Sequence, residues 1–269
     1  MTDMAAAAHA DSGNAPILFR AAGLCKNFGG VRAVRDISLA IPAGKVFAII
    51  GPNGAGKSTL LNLMSGIYQP DAGTMEFDGA DLVGMPAHRR ARRGLARTFQ
   101  KIRLFKRLSV LDNVRAGFHI HHDIPAWEYL VHGPAFRRDR ARSREQAAEL
   151  LSFVGLERRA HVLAGSLSYG EQRMLEIARA LATAPRLLMV DEPAAGLNAA
   201  EVERLLDRIR LLRRRGMTVV LVEHNMELVM QVADRVLVMD YGKHLFEGTP
   251  SEVQASSAVI AAYLGADFR

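Results

Sequence analysis

The stretch that most constrains this chain is Val46-Phe47-Ala48-Ile49-Ile50, which runs directly into Gly51-Pro52-Asn53-Gly54-Ala55-Gly56-Lys57-Ser58-Thr59. A short, wholly apolar run with a β-branched end suits a strand buried on both faces of a parallel sheet. Leu60, Leu61, Leu63 and Met64 follow at helical spacing, and Gly66 is placed to cap that helix. Strand, glycine-rich turn and helix thus come in immediate succession. The turn fits G-x-x-x-x-G-K-[ST] over residues 51–58. Glycines there let backbone N–H groups converge on phosphate oxygens, and the helix adds its positive end. Lys57 supplies a point charge between the β- and γ-phosphates, and Ser58 a hydroxyl ligand for Mg2+. Such a loop specifies nucleoside triphosphate binding without choosing among kinase, GTPase, helicase and motor.

The remaining apolar pattern indicates an α/β fold. Strand signals occur at 17–22, 33–41 and around 74–77, and again at Leu187–Val190, Thr218–Val222 and Val236–Met239. Between the first two of the latter group, residues 199–215 are apolar at Val202, Leu205, Leu206, Ile209 and Leu212, which is helical spacing. Strands alternating with helices argue for a mostly parallel sheet. Pro70, Gly73, Gly79 and Gly84 punctuate a small antiparallel β-element, and a last helix is expected over about 251–263, entered by Ser251 with Gln254 three residues on. The chain has 269 residues, enough for one large domain or two small ones with a proper core. Its single cysteine, Cys25, excludes an internal disulfide framework and a four-cysteine zinc site. Its apolar runs fall far short of a membrane span. Residues 1–16 carry Asp3 and Asp11 without a basic start and are expected to form a flexible tail, not a secretory signal. These features favour the cytoplasm.

Two further motifs carry chemistry. Leu187–Val190 ends in Asp191-Glu192, and acids at a strand's C-terminal end lie where open α/β sheets bind ligands. Asp191 is expected to hold the Mg2+ shell through water, and Glu192 to reach the water that attacks the γ-phosphate. Leu167-Ser168-Tyr169-Gly170-Glu171-Gln172 precedes an amphipathic helix, with Ser168 and Glu171 at capping-box spacing. That entrance is a helix start, and equally a place where an anion can bind.

The phosphate loop, Gln100, the 167–172 helix entrance, Asp191-Glu192 and His224 occur in the order of the ATP-binding-cassette ATPases, and the resemblance covers about residues 17–265. It implies a RecA-like P-loop NTPase core (α/β) with a small antiparallel β-subdomain and an inserted helical subdomain at about 101–161, the cassette spanning 17–250 and a C-terminal helix and tail 251–269. It implies two cassettes facing head to tail, with ATP on the phosphate loop of one closed over by Ser168 and Gly170 of the other. Phe28 matches the aromatic that stacks on adenine, Gln100 would approach Mg2+ and the attacking water, and His224 would contact the γ-phosphate. Two departures are visible: Tyr169 and Glu171 stand where Gly and Gln are usual, and Asn198 where Asp is usual. Both are like the branched-chain amino acid branch. Arg97-Thr98-Phe99-Gln100, Ile102-Arg103-Leu104-Phe105, the long insert near 117–145 and the ending Val259–Gly265 resemble the ATP-binding subunit of those importers that carries the insert.

The resemblance therefore implies an ATPase that energises uptake through two integral permease subunits. A second cassette, copy or sibling, and indirectly a substrate-binding protein would complete the system, at the cytoplasmic face of the membrane. The rival reading rests on charge. The chain carries a formal charge of +7, and residues 86–144 hold fifteen Lys/Arg against four Asp/Glu. Such a stretch can be a solvated or partner-facing surface, a membrane-proximal one, or a nucleic-acid site. Without aromatic interleaving or a recognition-helix signature, no nucleic acid is expected. A soluble cassette ATPase acting on nucleic acid or the ribosome stands as the alternative, although this chain has neither a long coiled coil between the motifs nor a second cassette. His119, His121, His122 and Asp123 invite a metal reading, but nothing downstream supplies a matched ligand pair.

Overall fold

The strands belong to two sheets. In the computed structural model, which describes residues 15–121 and 133–264, β1 (Ile17–Phe28), β2 (Val31–Pro42), β4 (Ala72–Phe77) and β5 (Ala80–Asp81) form an antiparallel sheet in the order β2-β1-β4-β5. β3 (Val46–Ile50), β6 (Leu95–Arg97), β7 (Leu187–Asp191), β8 (Thr218–Val222), β9 (Arg235–Asp240) and β10 (Lys243–Gly248) form the larger sheet in the order β10-β9-β3-β8-β7-β6. All its pairings are parallel except β9 with β10. Residues 1–14 of the expected tail, residues 122–132 of the insert with His122 and Asp123, and residues 265–269 lie outside the described residues.

The unbroken apolar runs are explained by burial on both sides. Along β3, Val46, Ala48 and Ile50 join one hydrophobic cluster, while Phe47 and Ile49 join the other. The first cluster is closed by helices α5 (Tyr169–Leu181) and α6 (Ala199–Arg214), and the second by α1 (Lys57–Ser65) and the antiparallel sheet. Each fully buried Val, Leu or Ile contributes about 1.5–3 kcal/mol.

The same parallel register creates the site. Asp191 pairs with Val222, and Val222 with Ile49, so β3, β7 and β8 end at one edge. Gly51, Glu192 and Glu223 leave the sheet there side by side, where ligands of such sheets bind.

Helices α2 (Ala87–Arg92), α3 (Val110–Phe118) and α4 (Pro134–Val154) follow Met85, and α3 and α4 fall inside the 101–161 interval expected to be helical. Gly66 caps α1 in the left-handed conformation as expected. Two strands were not anticipated, and one expectation needs correction. The three-residue β6 interrupts the basic helical stretch, held by pairing with β7. β10 returns along β9 after the Tyr241-Gly242 turn. The last helix is two, α8 (Pro250–Ala255) and α9 (Ser257–Leu264) after α7 (Met226–Val232), and the N-cap is Thr249 with Glu252 rather than Ser251 with Gln254. Pro250 fits the first helical position and Thr249 caps it, so the start moves two residues upstream.

Candidate functional site

Gly56 caps α1 with φ 96°, and a Cβ there would collide with the Ala33 carbonyl oxygen. The loop can therefore pack its backbone against β2 only as glycine. A cleft of about 330 Å³ opens beside it, walled by residues 53–59 and Glu192 on one side and by Val31, Arg32, Ala33, Arg35 and Tyr241 on the other. Lys57 is buried, and its Nζ donates to the carbonyl oxygens of Gly51 at 2.7 Å and Pro52 at 2.9 Å. Burial pulls its pKa below the ordinary lysine value, against the opposing fields of Glu192, Asp191 and Glu223. The Lys57 ammonium is the loop's fixed positive charge for an anionic phosphate.

Glu192 adopts φ 44°, a left-handed conformation that costs a residue with a side chain about 1–3 kcal/mol. Its N–H donates to the Val222 carbonyl at 2.9 Å, which fixes the turn. Gln100 Nε2 donates to Glu192 Oε2 at 2.8 Å, which brings the two side chains together. Asp191 is buried; its Oδ2 accepts from Arg97 Nη2 at 2.8 Å, and its Oδ1 is buried without a hydrogen-bond partner. Arg97 was visible only as part of the Arg97–Gln100 run, and its ion pair with Asp191 was not foreseen. The orphaned Oδ1, the glycine cradle and the Lys57 ammonium together fit a metal–triphosphate ligand. Asp191, with Ser58 and Gln100, would hold Mg2+, and the cleft would hold ATP.

The other expected residues stand apart from this cleft. Phe28 does not line it; its ring meets Tyr68 edge-on at 5.1 Å, with Lys26 Nζ 5.6 Å from its centroid. His224 is exposed beyond β8, and its N–H donates to Glu223 Oε2 at 3.3 Å. Ser168 and Gly170 begin α5 away from the cleft wall. The capping box is complete: Glu171 N donates to Ser168 Oγ at 3.2 Å and Ser168 N to Glu171 Oε2 at 2.9 Å. The departures in this region have physical roles. The Tyr169 hydroxyl accepts from Arg173 Nη2 at 3.3 Å, and Asn198 caps α6 by accepting from Glu201 N at 3.0 Å, which asparagine does as well as aspartate.

Glu223, Arg32 and Arg35 were missed. Glu223 is fully buried, accepts from Ala194 N at 3.0 Å and has its pKa raised, first by burial. An acid at the end of an apolar strand was the available signal, the one already used for Asp191.

Residues 34–195 match the ABC transporter family. The chain belongs to that family. As a member it is an ATP-binding and ATP-hydrolysing cassette, which bears out the expected fold and enzyme class. Residues 243–269 match the branched-chain amino acid ATP-binding cassette transporter family. The chain is 44% identical to the high-affinity branched-chain amino acid transport ATP-binding protein BraF of Pseudomonas aeruginosa, over 93% of this chain and 98% of that one. It is 41% identical to LivG of Escherichia coli K12, the protein of the same description, over 90% and 96%. A nucleotide-free ATP-binding cassette from an ABC transporter superposes with a TM-score of 0.80 at 29% identity, covering 92% of this chain and 99% of that one. The cassette therefore groups with the branched-chain amino acid branch of the family, as the 167–172 and 97–105 runs implied.

Proposed function

We propose that this cassette binds Mg2+–ATP in the cleft beside residues 53–59 and that its hydrolysis energises branched-chain amino acid uptake through membrane-embedded partners. The observation that carries the reading is the placement of Lys57 and Glu192 in the wall of one cleft, with Gln100 hydrogen-bonded to Glu192. Lys57 neutralises phosphate charge, and Glu192 takes a proton from the attacking water while Gln100 orients that carboxylate. Mg2+, when bound, supplies charge neutralisation at the phosphates.

Ser168 and Gly170 lie outside their own chain's cleft, which supports their serving the nucleotide of a second cassette, a copy or a sibling. His224 and Phe28 act in the closed, nucleotide-bound pair, at the γ-phosphate and the adenine. Among the described residues no helix is long and apolar enough to cross a membrane. The chain works at the cytoplasmic face as a peripheral subunit. A groove of about 520 Å³ lined by Phe99, Phe105, Ile120 and the charged residues Arg97, Arg179 and Glu176 presents a largely apolar surface. It receives a cytoplasmic helix of one permease subunit, the second cassette receiving the other's, and a substrate-binding protein loads the permeases indirectly. The helical subdomain, about 101–161, supplies one wall of that groove within a cassette of 17–250, followed by the C-terminal element 251–269.

The test is reconstitution in liposomes with two branched-chain amino acid permease subunits from the same organism. Leucine uptake that requires internal ATP and stops in Lys57→Ala supports the reading. Uptake independent of this chain, or ATPase stimulated by RNA and not by the permeases, contradicts it.

A further inference from the structure

Helix α5 buries two charges on a face that is otherwise apolar. Arg173 is fully buried and Glu176 nearly so, and Arg173 Nη1 donates to Glu176 Oε2 at 2.9 Å. Both also bond one short segment of backbone. Arg173 Nη1 donates to the Phe99 carbonyl at 2.8 Å and Nη2 to the Gln100 carbonyl at 2.9 Å. Glu176 Oε1 accepts from the N–H groups of Phe99 at 3.3 Å and Arg103 at 3.4 Å. Stability alone does not call for this arrangement, because apolar replacement of a buried ion pair is often neutral or stabilising. What the pair supplies is geometry: a planar fork and a two-oxygen acceptor grip both polar sides of the 99–103 backbone.

The grip joins two functional elements. At one end Arg173 Nη2 also donates to the Tyr169 hydroxyl, in the turn between Ser168 and Gly170. At the other end Gln100 Nε2 reaches Glu192. A contiguous set of contacts thus runs from the entrance of α5 to the acid in the nucleotide cleft, while Arg173 and Glu176 stay out of the cleft wall. We propose that Arg173 and Glu176 are positioning residues that make the Ser168 helix and the Gln100 segment move as one body, so that engagement of Ser168 with the partner's nucleotide is transmitted to Gln100 and, through its hydrogen bond, to Glu192 in its own cleft. This rests on the reading that two cassettes close over ATP.

The test uses the full chain and four variants: Arg173→Met, Arg173→Lys, Glu176→Gln, and Arg173→Met combined with Glu176→Leu. The combined variant leaves no uncompensated buried charge, so it folds even if the single arginine variant does not. Mg2+–ATP affinity is measured by calorimetry and hydrolysis at steady state. The expected result is ATP affinity within about threefold of the parent in every folded variant, which separates binding from the chemical step. Arg173→Met and the combined variant lose about tenfold or more in kcat, since misplacement remote from the chemistry is enough. Arg173→Lys stays low because a single ammonium lacks the fork. Glu176→Gln keeps an acceptor for the two N–H groups and recovers to within about threefold of the parent. A folded combined variant that turns over at the parental rate overturns the proposal, and so does a kcat loss matched by an equal loss of ATP affinity. A parent that binds no ATP sinks the underlying reading first and the clamp with it.

Discussion

Arg97 Nη2 donates to Asp191 Oδ2 at 2.8 Å, with both side chains almost sealed from solvent. The same guanidinium donates through Nη1 to Asn62 Oδ1 at 2.5 Å and Ser65 Oγ at 3.0 Å. One side chain on β6 therefore joins the end of β7 to the helix that follows the phosphate loop, and it orients the carboxylate whose other oxygen is buried without a hydrogen-bond partner. Removing one member of a buried pair leaves an unpaired charge and costs about 3–5 kcal/mol. Arg97→Met should lower the free energy of unfolding by that amount in urea titrations. A loss under about 1 kcal/mol, the level of an exposed pair, contradicts the role given to it.

Lys57 holds its own loop through the Gly51 and Pro52 carbonyls, so it has a packing role as well as a charge. A hydrogen bond from its ammonium to phosphate would be charge-assisted, worth about 1.5–3 kcal/mol. Lys57→Ala should therefore weaken ATP binding by about tenfold or more, as measured by calorimetry. Unchanged affinity in a variant whose thermal unfolding is normal removes the lysine from the phosphate site.

Glu223 gives a pH dependence. Its folded pKa is raised above the ordinary 4.5, first by burial. A raised carboxyl favours folding below the unfolded value, and that contribution is lost as pH rises through the folded value. Glu223→Gln abolishes the titration. The stability of the parent relative to this variant should fall as pH rises from about 4 toward 7, the range bracketing the unfolded carboxylate value. A difference that is flat across that range shows that Glu223 does not resist ionisation in the fold.

What the sequence made legible was what lies close along the chain. The strand, loop and helix of residues 46–65, the capping box at Ser168 and Glu171, and the acids closing β7 each depend on neighbours within a few residues. What it hid depends on partners far away. β6 exists because Leu95–Arg97 pair with Leu187–Met189, and three residues carry no period of their own. Arg97 looked like part of a basic stretch until β6 placed it 2.8 Å from Asp191. Arg173 and Glu176 left a trace that helical phase could have caught, since they fall on the buried side with Met174 and Ile177. Phe28 shows the opposite case: the aromatic residue matched a pattern, yet its ring packs against Tyr68 and stays out of the cleft wall. His224 and Ser168 likewise do not line that cleft.

The most direct test compares phosphate release and ATP binding in the parent and in Glu192→Gln. Glu192 sits in the cleft wall under the Gln100 carboxamide, where a carboxylate can accept the proton of the attacking water. A general base contributes about 10²–10⁴ in rate. The account predicts Mg2+-dependent phosphate release by the parent, a loss of that size in Glu192→Gln, and ATP affinity that is undiminished. Phosphate release by Glu192→Gln at the parental rate, or no ATP binding by either protein, contradicts it.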